Sequence, residues 1–258
     1  METSGLAEWR FGAANPALEA ASRQSIRSLV RRVYDCLDTS DPRPVAPFGH
    51  GDPSAFACFR TAAAAAEAVA AAVLSGKHSR YSPAAGVADA RSAVAAYVVL
   101  TAGCNHAIEI MMAVRRAGLA WRQRAAAAAG VPNGAIPQII ANTDEAFFEN
   151  AMNVMREAAE ICYQKLNDID CTTCPHKPEG SMVVMVKLDL SCLDGIDDDV
   201  DFCTKVAREE SVVICPGSGL GMKDWLRITF AVDRSLLEDG LERVKSFCIR
   251  HAKAMEVN

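Results

Sequence analysis

The chain has 258 residues, half of them hydrophobic and 23% charged, with a formal net charge of −5. That length allows one good-sized core or two small ones, and the acidic balance argues against a nucleic-acid or anionic-membrane surface as the main partner. No apolar run reaches the roughly 18 residues of a membrane span, and the opening METSGLAEWRFG lacks the basic start and apolar stretch of a signal peptide, so the expected location is cytoplasmic.

Residues 1 to about 42 read as an N-terminal arm. Asn15-Pro16 precedes an amphipathic helix, roughly 17–36, with Ile26, Leu29, Val30 and Val33 on one face, and Asp41-Pro42-Arg43-Pro44 ends it in an extended path. FGHGDPSAF (48–56) is a Gly/Pro-punctuated turn, and residues 57–74 are alanine-rich and helical by propensity. YSPAAG (81–86) marks a second turn. A short helix over about 87–97 then runs into Val98-Val99-Leu100-Thr101, which reads as a strand, and Gly103 opens a further helix with Ile108 and Met111.

The segment 115–133, RRAGLAWRQRAAAAAGVPN, has no clear apolar face and reads as an abnormal Arg/Ala-rich junction. Past it, Asn142 and Glu145 suggest a capping box for a long helix. Phe148, Met152, Met155, Ala159, Cys162 and Leu166 recur at spacings of three and four, which is one helix face. A strand over 181–190 follows, then a helix begun by Asp197, Asp198 and Asp199, whose charge suits the helix dipole. Strands over 211–215 and 225–231 come next. Ser235 with Glu238 suggests a capping box for a last helix carrying Leu237, Leu241, Val244 and Cys248. This order predicts an α/β sandwich, helices on a small sheet.

In WLRITF (225–230) side chains alternate faces, so Arg227 and Thr229 lie opposite Leu226, Ile228 and Phe230. The planar fork of Arg227 either clamps a substrate carboxylate or makes a surface salt bridge with a nearby acid. The turn at Gly103 either offers free helix amides to a phosphate or is only a turn. Tyr81 either reaches a phosphate or a partner chain, or packs on the surface. Glu67 and the acids near 197–201 read as solvated helix faces. The ten cysteines are scattered, several inside periodic apolar segments, as reduced core cysteines are. Cys171 and Cys174 with His176 supply too few ligands for zinc, and no metal site is expected.

Several long motifs occur in the order of one family. NPALEAASRQSIRSLV (15–30), DPRPVAPFGHGDPSAF (41–56), SGKHSRYSPAAG (75–86), LTAGCNHAIEIMMAV (100–114) and nearly everything from GAIPQII (134–140) to SFCIRHAK (246–253) resemble the plant tyrosine and nicotianamine aminotransferases, class I members of the fold-type-I pyridoxal-phosphate enzymes. The resemblance covers about four fifths of the chain. It implies an α/β fold with an N-terminal arm (1–42), a remnant of the cofactor-binding large domain (43–114), the junction (115–133), a domain-joining helix (134–159) and a complete small C-terminal sandwich domain (160–258). It further implies that Gly103, Cys104 and Asn105 hold the phosphate of pyridoxal 5′-phosphate, and that Tyr81 reaches the cofactor phosphate of a neighbouring subunit. Gly49 or Gly51 would lie beside the substrate carboxylate and Arg227 would clamp it.

The departures from the family weigh as much as the matches. The Asn-Pro-Gly-Asn-Pro turn, the Asp-x-x-Tyr pair under the pyridine ring and the Ser-x-x-Lys of the Schiff-base lysine are absent, and none of the eight lysines has a serine three places before it. A shorter gap falls between Tyr97 and Val98. By family the chain is thus a pyridoxal-phosphate aminotransferase acting on a tyrosine-like amino acid or nicotianamine and a 2-oxo acid, with its catalytic residues missing. The resemblance implies a homodimer or a heterodimer with a full-length paralogue; the alternatives to catalysis are a non-catalytic dimerisation partner of such a paralogue and a truncated gene product.

Overall fold

A computed structural model describes residues 22, 25–79, 83, 86–101 and 130–253. Its helices are α1 (Ile26–Tyr34), α2 (Ala63–Leu74), α3 (Ala88–Thr101), α4 (Gly130–Asn142), α5 (Glu145–Asn167), α6 (Asp199–Glu210) and α7 (Arg234–Arg250). Its strands are β1 (Ala46–Pro47), β2 (Thr172–Thr173), β3 (Val183–Leu188), β4 (Val212–Val213), β5 (Cys215–Pro216) and β6 (Trp225–Thr229). The chain divides into two compact units, Met1–Cys58 with Asn153–Asn258, and Phe59–Met152.

The first unit holds an antiparallel sheet in the order β2-β3-β6-β5, while β1 and β4 form a separate parallel pair. Apolar residues at every second position of β3 and β6 put Val184, Val186, Leu226 and Ile228 fully inside. Helix α6 packs on α1, α7, β4 and β5, and α7 also packs on β1 and β4. The last helix buries Leu237, Leu241, Val244 and Cys248, the face its periodicity predicts. Leu29, Val30 and Val33 of α1 and Ala158, Ala159, Cys162 and Leu166 of α5 are buried as well. The α/β character read from the sequence is therefore present, and segments from both ends of the chain build one core.

Helix starts differ from the expected boxes. Asp144, not Asn142, takes the Phe147 amide at 3.0 Å, and Asn142 ends α4 with its side-chain amide donating to Gln138. Asp233, not Ser235, caps α7: it accepts from the Ser235 amide at 3.0 Å and the Ser235 hydroxyl at 2.7 Å. Glu238 instead accepts from Arg234. A box pattern marks where polar residues repeat, whereas the capping position is set by where the backbone leaves the extended region, two residues later than expected for α5 and two residues earlier for α7. Asp198 caps α6 as the charge pattern suggests, accepting from the Asp201 amide at 2.8 Å.

The second unit is helical. Helix α4 packs on α2 and α3, and Ala68 and Ala72 of α2 meet Ala135 of α4 in one small cluster. The expected strand over 98–101 is instead the last turn of α3. Once the alanine-rich run before it is helical, each further residue adds a backbone hydrogen bond. Among the described residues this unit offers those four residues no strand to pair with. Residues 102–129, most of the Arg/Ala-rich junction included, lie outside the described residues, and residues 130–133 belong to α4.

Candidate functional site

Arg227 sits at the centre of β6, paired in register with Met185 of β3 on one side and Cys215 of β5 on the other. Beyond β5 the β6 edge is taken up by the turn at 48–49. The Thr229 amide donates to the Phe48 carbonyl at 2.8 Å, and Arg227 Nη2 donates to the Gly49 carbonyl at 2.9 Å. Two residues 178 positions apart in sequence are thus in contact. Gly49 is buried and closely surrounded: an added Cβ would lie 3.1 Å from Val213 and 3.3 Å from Val30. Gly51 is exposed and its nearest neighbour is Met182. Of the two glycines, Gly49 is the one beside the guanidinium.

Arg227 has no carboxylate partner among the described residues, so the surface salt bridge is not formed there. Its Nε is buried with no hydrogen-bond partner, and Thr229 Oγ1, on the same strand face, is buried and unpartnered too. A buried guanidinium N–H left unpaired costs free energy, and a ligand carboxylate would recover it in a charge-assisted bond. The Arg227 charge also acts on Cys215 opposite it, pulling the thiol down, but burial wins and holds that thiol above its usual range. His50 follows Gly49 and lies against the Tyr34 ring, centroids 5.5 Å apart, and burial pushes the Tyr34 phenol up. Spacing gave no reason to single out His50 or Tyr34, because they come together only through the turn.

The acids near 197–201 include one misread residue. Asp199 is fully buried, and its two carboxylate oxygens accept from the Ser218 amide at 2.7 Å and the Ser218 hydroxyl at 2.6 Å. It ties α6 to the turn Gly217–Leu220, which leads towards β6.

The residues expected to hold the cofactor phosphate, Gly103, Cys104 and Asn105, and Tyr81 with them, lie outside the described residues. All eight lysines are described, and none is buried. Lys165 pairs with Glu242 at 3.3 Å, Lys205 with Asp201 at 2.7 Å and Lys177 with Glu160. An amine that forms an imine in a water-excluding site must be desolvated. The described residues therefore fit a carboxylate at Arg227 but do not fit covalent attachment of pyridoxal phosphate. Among them there is also no group of three or more His, Cys, Asp or Glu placed to hold a metal ion, and no helix long and apolar enough to cross a membrane.

The family model described as aminotransferase class I and II matches residues 98–244. Nicotianamine aminotransferase 1 of Oryza sativa subsp. japonica is 61% identical over 125 residues, which is 48% of this chain and 25% of the rice protein. Nicotianamine aminotransferase B of Hordeum vulgare is 30% identical over 414 positions, covering 95% of this chain and 75% of the barley protein. That alignment is longer than the 258-residue chain, so it passes over a long stretch of the barley protein with no counterpart here. The crystal structure of tyrosine aminotransferase from Leishmania infantum superposes with a TM-score of 0.72 at 15% identity, covering 95% of this chain and 100% of that one, which shows a shared fold.

Proposed function

We propose that this chain, which belongs to the class I and II aminotransferase family, grips the carboxylate of an amino acid or 2-oxo acid but does not transfer the amino group itself. Enzymes of the family depend on pyridoxal phosphate, which serves as an electron sink at the substrate alpha carbon. The names of the plant relatives make nicotianamine one proposed donor, and the sequence motifs make a tyrosine-like amino acid the other.

The observation that carries the reading is Arg227. One guanidinium N–H is held on the Gly49 carbonyl, Nε is buried and unpartnered, and among the described residues no acid pairs with the fork. The Gly49 carbonyl fixes the guanidinium plane, so the remaining N–H groups are oriented before a ligand arrives. The second half of the proposal follows from the lysines, each of which has solvent around it. No shielded amine is present to form the imine or to move the alpha proton.

Titration of the purified chain with L-tyrosine and with 2-oxoglutarate, followed by calorimetry, tests the grip. Saturable binding that weakens by roughly ten-fold or more in Arg227→Lys is expected, since two charge-assisted hydrogen bonds are lost. Equal binding by the two proteins overturns it. Amino transfer by the chain alone, with pyridoxal phosphate added, overturns the second half.

The stretch of the barley relative without a counterpart favours a second reading, a non-catalytic partner of a full-length paralogue. Co-expression and affinity capture with such a paralogue decides it, and consistent failure to associate rules it out. Transcript reads across residues 114–134 test the remaining reading, a truncated gene product. Continuous reads through that junction count against it.

A further inference from the structure

The described cysteines are all free, and three of them converge far from Arg227 in sequence and on different elements. Cys171 precedes β2, Cys192 closes the 3-10 turn Leu190–Cys192, and Cys248 lies in the last turn of α7. All three line one cavity of about 250 Å³, together with Asp168, Lys245 and Ile249. Cys171 and Cys248 are 3% and 4% exposed. Cys192 is half-buried and keeps part of its surface in water.

The backbone holds these segments in register. The Asp189 amide donates to the Cys171 carbonyl at 2.8 Å, the Lys253 amide to the Cys192 carbonyl at 2.9 Å and the Asp194 amide to the His251 carbonyl at 2.7 Å. The Cys171 and Cys248 side chains are hydrogen-bonded to each other. That bond holds the Cys171 thiol below the ordinary cysteine range, against burial and the charges of Asp170 and Asp189, and pushes Cys248 well above it. Two thiols that share a cavity and contact each other place one sulfur to resolve the product formed on the other, and the one whose thiolate is favoured is the better nucleophile.

We propose that Cys171 and Cys248 form a peroxide-responsive dithiol that closes into a disulfide, in a cavity that small oxidants enter past Cys192. The Cys171 sulfur attacks one oxygen of hydrogen peroxide. An S–O bond forms, the O–O bond breaks, and the departing hydroxide leaves as water with the Cys171 proton. The Cys248 sulfur then attacks the Cys171 sulfur. The S–S bond forms, the S–O bond breaks, and the second hydroxide leaves as water with the Cys248 proton. Two thiols lose two electrons, and one peroxide becomes two waters. The new bond ties the end of α7 to the loop before β2, across 77 positions of chain between residues 171 and 248. Cross-linking so long a loop restricts the unfolded chain. This inference does not depend on the carboxylate site.

The test is a cysteine-linkage map of the full chain. Reduced protein is exposed to hydrogen peroxide, alkylated, digested and analysed by mass spectrometry. A peptide pair joined through Cys171 and Cys248 is expected, with Cys36 and Cys58 still alkylated. The pair is expected to vanish in Cys171→Ser and Cys248→Ser and to persist in Cys192→Ser. Oxidised wild type should melt higher than reduced by on the order of 10 °C, a readout that needs no variant. A link joining either cysteine to a different partner overturns the proposal, as does oxygenation of Cys171 with no link formed, or an unchanged melting temperature.

Discussion

Asp199 gives both of its oxygens to Ser218 from a position with no exposed surface. Asp199→Ala would leave the turn Gly217–Leu220 without its anchor and is expected to cost about 1–3 kcal/mol. Urea titration checks this: the midpoint falls while the slope stays constant. Asp41 shows how charge sets the pH response. Hydrogen bonds from Arg43 and Ser211 hold its carboxyl below the usual range. A depressed native value contributes stability that is present above the unfolded value, about 4, and is lost as pH falls towards the native one. Asp41→Asn should therefore lower the melting temperature at pH 7, and the gap to wild type should close as pH drops below about 4. A gap that is the same at pH 3 and pH 7 contradicts this. At this scale strand alternation put Arg227 on the face opposite Leu226, Ile228 and Phe230 but left a carboxylate clamp and a surface salt bridge both open. The sequence did not distinguish Asp199 from its exposed neighbours, because three consecutive aspartates look alike until a fold decides which one faces Ser218.

The last helix illustrates the element scale. Periodicity placed Leu237, Leu241, Val244 and Cys248 on one face, and all four are buried. It said nothing of Gly240, whose missing side chain lets the Phe48 ring and Ala46 press against the helix. Gly240→Ala gains helix propensity yet forces a methyl into those buried neighbours, and overpacking is expected to win, with a net loss of about 1–3 kcal/mol. A melting temperature unchanged or raised in this variant contradicts the packing argument. Capping is similarly local. Asp198→Ala removes the acceptor for the Asp201 amide and is expected to cost about 1 kcal/mol, measured by the same urea titration. Where the sequence reading failed, over 98–101, the β-branched residues were too few to break a helix already propagated through alanines.

The whole molecule pairs a densely buried unit with a thinly buried one. The first keeps Val184, Val186, Leu226 and Ile228 almost or wholly inside, and among the described residues the second buries mainly alanines. Hydrogen exchange should therefore find β3 and β6 amides protected longest and those of α2 and α3 exchanging far sooner. Comparable protection in both contradicts that ranking. The first unit also draws on both ends of the chain: Phe48, Val30 and Val33 complete the core around α6 and α7, and β1 pairs with β4. By itself the sequence determined the buried faces of α1, α7 and the second half of α5, the alternation of β6 and the order of family motifs, because periodicity and spacing are properties of neighbouring residues; the predicted face of α5 fails at its start, where Phe148 and Met152 are exposed. Only the tertiary structure decided that Gly49 rather than Gly51 meets Arg227, that Asp199 is interior and that three scattered cysteines share a cavity. Each of these rests on contact between residues distant along the chain, and burial there is set by which surfaces pack together, which no local pattern encodes.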